Sequence, residues 1–149
     1  MIDGVTIRPL AQFHDERGKI MKMLERTDEG FGGFGEIYFS VVDPGVVKGW
    51  HWHEANTLNY ACVSGMIKFV LYDDREDSPT RGDFDEIFIG PENYVLVTVP
   101  PRVWNGFKGI AGQPSIVADC TTQTHAEDVM RRLDPHGSDI PYDWARRDG

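Results

Sequence analysis

At 149 residues, 40% of them hydrophobic and 26% charged, the chain has the size and make-up of one soluble globular domain that can bury a core without staples. No apolar run reaches membrane-spanning length, and a net charge of −9 opposes contact with a phosphate backbone, so neither a membrane nor a nucleic acid is an expected partner. The two cysteines, Cys62 and Cys120, lie in apolar strand-like segments without a CxxC partner and read as buried free thiols. The start, Met1-Ile2-Asp3-Gly4-Val5, has no basic region followed by an apolar one, so a cytoplasmic location is expected.

In chain order, strand signals dominate. Gly35 to Val42, rich in Val, Ile, Phe and Tyr, ends at the turn Asp43-Pro44-Gly45. The next run, Val47-Lys48-Gly49-Trp50-His51-Trp52-His53-Glu54, spaces two imidazoles i and i+2, which puts both on one face of a strand and leaves Trp50 and Trp52 to pack on the other, under another sheet or a partner subunit. Leu58 to Val63, Met66 to Tyr72, Glu86 to Ile89, Tyr94 to Val99 and Ser115 to Thr121 follow. They are separated by Ser64-Gly65, Ser78-Pro79, Arg81-Gly82-Asp83, Gly90-Pro91-Glu92-Asn93, Pro100-Pro101 and Gly112-Gln113-Pro114, all residues that supply turn dihedrals or end a strand. Only His125 to Leu133 reads as a short helix, with charges at Glu127, Asp128, Arg131 and Arg132 and apolar Val129, Met130 and Leu133. No repeat or linker divides residues 1–149, so the strands are expected to close as one all-β sandwich or barrel.

A histidine pair facing the inside of such a barrel can bind a metal or move protons. Local cations can hold a small phosphorylated ligand whatever the global charge, and the candidates are Arg17, Lys48, Arg75 and Arg102.

Gly45, His51, His53 and Gly65 reproduce most of the first motif of the cupin superfamily, and the chain resembles a cupin, whose conical jelly roll holds its site inside. A metal-binding cupin would place a glutamate at Leu58 and a histidine at Asn105, while Glu54 falls on the wrong strand face to complete a ligand set, so no metal and no other cofactor are expected.

A narrower resemblance runs over nearly the whole length. Asp15-Glu16-Arg17-Gly18, Lys48-Gly49-Trp50-His51, the segment Asp74 to Thr80 with Gly82, the turn Pro100 to Phe107, Leu133-Asp134-Pro135 and the segment Asp139 to Trp144 are similar, in order, to motifs of the dTDP-4-dehydrorhamnose 3,5-epimerase family. The resemblance implies a metal-independent cupin enzyme of deoxysugar and polysaccharide biosynthesis that abstracts protons beside the C4 ketone of a dTDP-linked keto-deoxysugar. His51 matches the family's base and Asp134 the aspartate that hydrogen-bonds its imidazole. Arg17, Lys48, Arg75, Glu36, Ser40 and Asn105 fall at positions read as substrate-binding, with Glu36 and Tyr38 standing where the family has base-contacting glutamine and asparagine. A homodimer is implied as well.

The departures are as informative. Leu58 replaces a lysine that stabilises the enolate oxygen, and no tyrosine lies near Thr124 or His125 to return the proton. On strand parity Tyr38, Tyr60 and His53 are the candidate replacements. Tyr38 with Lys48 to His53 also resembles the dTDP-sugar 3,4-ketoisomerases, and a barrel that binds a nucleotide sugar without chemistry is the third alternative. Trp104 or Trp144 is a candidate to stack on a base at the barrel mouth.

Overall fold

The computed structural model describes residues 1–149 as twelve strands and no helix. One sheet has the order β1 (Thr6–Pro9), β9 (Val95–Val99), β6 (Leu58–Ser64), β11 (Ser115–Thr121), β4 (Glu36–Val42). The other runs β12 (Met130–Arg132), β5 (Val47–His53), β10 (Trp104–Gly109), β7 (Ile67–Tyr72), β8 (Phe84–Ile89). A separate hairpin, β2 (Gln12–Asp15) with β3 (Gly18–Met21), completes the set. Neighbouring strands pair antiparallel, and the non-sequential order in both sheets is that of a jelly roll.

Alternation decides what each face meets. Inward residues of the two sheets, among them Leu58, Phe69, Leu71, Val97, Phe107 and Val117, form a core of 16 buried side chains. Each such burial contributes about 1.5–3 kcal/mol. A second apolar layer covers the outside of the β12-to-β8 sheet, where Trp50, Trp52, Val70 and Trp104 lie under Ile140 and Trp144 of the C-terminal segment. Trp50 and Trp144 meet with ring centroids 5.1 Å apart, and Lys108 Nζ donates to the Trp144 carbonyl at 2.8 Å. Trp50 and Trp52 therefore face outward as their spacing predicts, and the cover is the chain's own tail. Trp104 and Trp144 belong to that layer too, on the far side of the sheet from the interior, which overturns their expected place at the barrel mouth.

The helix expected over His125 to Leu133 is not formed. Thr124 and Glu127 close a turn, in which the Thr124 N–H and hydroxyl both donate to Glu127 Oε2, and the chain then extends as β12 against the free edge of β5. The edge of β5 offers a row of unpaired backbone groups, and three apolar residues are too few for a helical stripe to compete with it. Glycine permits one tight approach: a Cβ on Gly106 would stand 2.9 Å from the Gly49 Cα, where β10 and β5 pair across a register shift between Asn105 and Phe107. No helix is long and apolar enough to cross a membrane.

Candidate active site

The two sheets part at one end around a cavity of about 790 Å³. Its walls come from inward positions of β4 (Glu36, Tyr38, Ser40), β5 (Lys48, His51, His53) and β6 (Tyr60), with Met130 and Arg132 of β12 and with His125 and Asp128 from the turn before it. Apolar Val47, Phe107 and Met130 share the lining with these polar groups, the combination that holds a ligand and fixes its orientation.

Both histidines face the interior, as the i, i+2 spacing predicts. Burial, then the charges of Arg132, His53 and Lys48, push the His51 imidazole down to about 4, so the ring is neutral at physiological pH and free to accept a proton. No side chain hydrogen-bonds it. The carboxylate expected on His51 is elsewhere: Asp134 is exposed beyond the end of β12, and its Oδ1 accepts the His136 N–H at 2.8 Å. This corrects the expected His51–Asp134 pair. The interior carboxylate that does meet an imidazole is Asp128, whose Oδ2 lies 2.6 Å from His53 Nδ1 and also accepts from Asn56 Nδ2 at 3.2 Å. Its placement follows from β12 forming in place of a helix, which draws the preceding turn over the end of β5.

Of the other expected residues, Glu36, Ser40 and Lys48 line the cavity, with Lys48 Nζ donating to Ser40 Oγ at 3.0 Å. Asn105 is buried behind the histidines, donating to the His51 carbonyl at 3.2 Å and accepting from the Tyr60 hydroxyl at 3.2 Å. Tyr38 reaches the cavity and donates to Asp119 Oδ2 at 2.7 Å.

Two cations are not brought to the site. Arg17 sits on the β2–β3 turn with its side chain 86% exposed, paired only with Asp15. Arg75 is committed to Asp73, whose wholly buried carboxylate also accepts from the Ser78 and Thr80 hydroxyls, while Arg75 reaches on to the Asp3 carbonyl at 2.8 Å. The segment Asp74 to Thr80 thus braces the β7–β8 connection and the N-terminus, and neither Arg17 nor Arg75 lines the cavity of this chain. Arg102 is exposed, 3.9 Å from Asp77.

Sequence reasoning passed over three cavity-lining groups, Arg132, Asp128 and His125, and one buried behind the wall, Asp119. The first three fall in the stretch read as helical, where their facing could not be seen. Asp119 had a visible signal, a lone acid inside the apolar run Ser115 to Thr121 at the same parity as core Val117. It is completely buried, lies directly across from Tyr38 on one side and Tyr60 on the other, and has one carboxyl oxygen without a partner. Burial, opposed by the hydrogen bond from Tyr38 and reinforced by Glu36, pushes its carboxyl up to about 7.

The geometry is matched by kinship. The profile of the family described as dTDP-4-dehydrorhamnose 3,5-epimerase matches residues 1–148. Agl13 of Haloferax volcanii, named as a probable low-salt glycan biosynthesis epimerase, is 36% identical over 144 residues, 95% of this chain and 89% of that protein. The spore coat polysaccharide biosynthesis protein SpsL of Bacillus subtilis is 32% identical over 143 residues, 96% of this chain and 91% of its own length. Among solved structures, a dTDP sugar isomerase from Desulfovibrio desulfuricans G20 superimposes with a TM-score of 0.94 at 39% identity, covering 99% of this chain and 94% of that one. The chain belongs to the dTDP-4-dehydrorhamnose 3,5-epimerase family, an isomerase class built on the cupin jelly roll.

Proposed function

We propose that this protein epimerises a dTDP-linked 4-keto-6-deoxyhexose, taking a proton from carbon beside the C4 ketone and returning it to the other face. The observation that carries the reading is the pair of inward imidazoles, His51 and His53, beside Lys48 and Arg132 in a cavity large enough for a pyranose. His51, neutral and without a side-chain partner, is the proton acceptor. His53, held by Asp128 at Nδ1, is the cavity-side group that takes the place of the family lysine absent at Leu58 and meets the developing enolate oxygen. Tyr38 and Tyr60 are the phenols available to the reacting sugar, Tyr38 the more open of the two. Lys48 and Arg132, with Ser40 and Glu36, take the nucleotide diphosphate and base side.

The chemistry is proposed to need no metal, because Leu58 and Asn105 occupy the positions where a metal-binding cupin carries ligands and two imidazoles fall below the usual ligand count. A homodimer is supported by the exposed apolar row Ile37, Phe39 and Val41 on edge strand β4, and sedimentation at twice the monomer mass tests it. Two buried free thiols fit a reducing compartment and support a cytoplasmic location.

Tyr38 facing His51 and His53 also favours a second reading, a 3,4-ketoisomerase that shares the first proton abstraction. Incubation with a dTDP-4-keto-6-deoxyhexose in deuterated water separates the two. Deuterium at C3 and C5 with inversion at both supports the epimerase. Deuterium at C4 with the ketone moved to C3 supports the ketoisomerase, and absence of exchange overturns both.

A further inference from the structure

We infer that Asp119 and Tyr38 form a two-residue proton relay that delivers the returning proton from the wall opposite His51. The inference rests on the enolisation reading above and deepens it by naming the donor that the missing family tyrosine leaves open.

Three placements carry it. His51 belongs to β5 and Tyr38 to β4, strands of different sheets, so the two residues border the same cavity from facing walls. A planar enolate between them loses its proton to one side and regains it from the other, as inversion requires. Next, Tyr38, Asp119 and Tyr60 form a cross-strand row on β4, β11 and β6, in register, with the Tyr38 hydroxyl 2.7 Å from Asp119 Oδ2. Finally, Asp119 is wholly buried and does not border the cavity, and its Oδ1 has no partner. A buried carboxyl short of donors favours its neutral, protonated form. Asp119 therefore acts only through Tyr38, as a positioning residue and proton reservoir.

The proton count closes. The substrate C–H bond breaks as an N–H bond forms on His51. The Tyr38 O–H bond then breaks as a C–H bond forms on the opposite face, and the Asp119 O–H bond breaks as the Tyr38 O–H bond is restored. The products are a His51 imidazolium and an Asp119 carboxylate; solvent entering the cavity takes the proton from His51 directly and returns one to Asp119 through the Tyr38 hydroxyl. Tyr38 could not serve alone, because burial and the charges of Glu36 and Asp128 oppose a phenolate there. Receiving the Asp119 proton as it gives up its own avoids that charge.

The charged and titratable groups facing Asp119 are Glu36 and Tyr38 from β4 and Tyr60 from β6, with Asn105 of β10 reached through Tyr60 and Asp128 acting on both phenols. Glu36 and burial favour the acid form, which is half populated near pH 7, so inversion is expected to fall as pH rises through about 7.

The test compares wild type, Asp119→Asn and Tyr38→Phe with a dTDP-4-keto-6-deoxyhexose in deuterated water. Solvent exchange and inversion are followed separately by NMR across pH. In both variants exchange should fall less than about fivefold while inversion falls about 10²-fold or more, and the limb near pH 7 should vanish in Asp119→Asn. Inversion at the wild-type rate, a retained limb, or equal loss of exchange and inversion overturns the relay. Should Asp119→Asn not fold, Tyr38→Phe must show the same split on its own. Infrared difference spectra of the ligand-free protein give a readout independent of any sugar. A protonated-carboxyl band that is lost in Asp119→Asn and titrates near neutrality is expected, and its absence at pH 6 overturns the relay even if wild type epimerises. Wild type that shows the band but exchanges no substrate instead overturns the enolisation reading on which the relay depends.

Discussion

Replacing His51 with asparagine keeps a polar side chain of similar reach but removes the basic nitrogen, so deuterium exchange into substrate should drop about 10²- to 10⁴-fold, as measured by NMR. The acidic partners are expected to separate in the same assay: Asp128→Asn, which disturbs His53, should slow exchange at least tenfold more than Asp134→Asn, whose carboxylate serves only the His136 N–H. Asp119 also sets a pH dependence of folding. Its folded pKa, about 7, is raised above an unfolded carboxyl near 3.9, so its contribution is fully present below the lower value and is lost as pH rises through the upper one, by up to ~4 kcal/mol. Melting temperatures should accordingly show Asp119→Asn gaining on wild type between pH 5 and pH 8.5. At this scale the histidines were legible because strand parity alone turns both inward. Asp134 was misplaced because a motif match names a position and not where the carboxylate turns.

Strands announced by β-branched and aromatic runs, such as Leu58–Ser64 and Ser115–Thr121, were readable to within a residue or two. Those missed were short or polar: β1, β2 and β3 have little apolar alternation, and β10, with Gly106 and Gly109, lacks the usual composition of a strand. The segment before Leu133 misled because charge at helical spacing says nothing about an open sheet edge elsewhere in the chain, and β5 supplies that edge. The C-terminal strap is an element with a definite energetic task. Trp144→Ala should remove about 3–5 kcal/mol, read from the urea midpoint by circular dichroism, because it opens a hole over Trp50, which is 0% exposed.

Across the whole molecule, a strongly acidic chain presents Lys48 and Arg132 at the rim of one cavity, a local exception that can guide an anionic ligand inward. Calorimetry with dTDP should show affinity falling about ten- to a hundredfold in either Lys48→Ala or Arg132→Ala, and falling with added salt in wild type. The architecture itself was legible from turn spacing and ordered motifs. The cavity wall was legible only in part, because a third of its lining residues lie after Thr121, in a turn and strand whose facing depends on long-range pairing. The outer layer carries one practical consequence. Trp50, Trp52, Trp104 and Trp144 are all four of the chain's tryptophans, and every one lies in the strap-covered face and none borders the cavity. Intrinsic indole emission will therefore monitor detachment of the tail and stay nearly silent when a sugar nucleotide enters, so titrations followed by fluorescence need a reporter placed on the other side of the sheet.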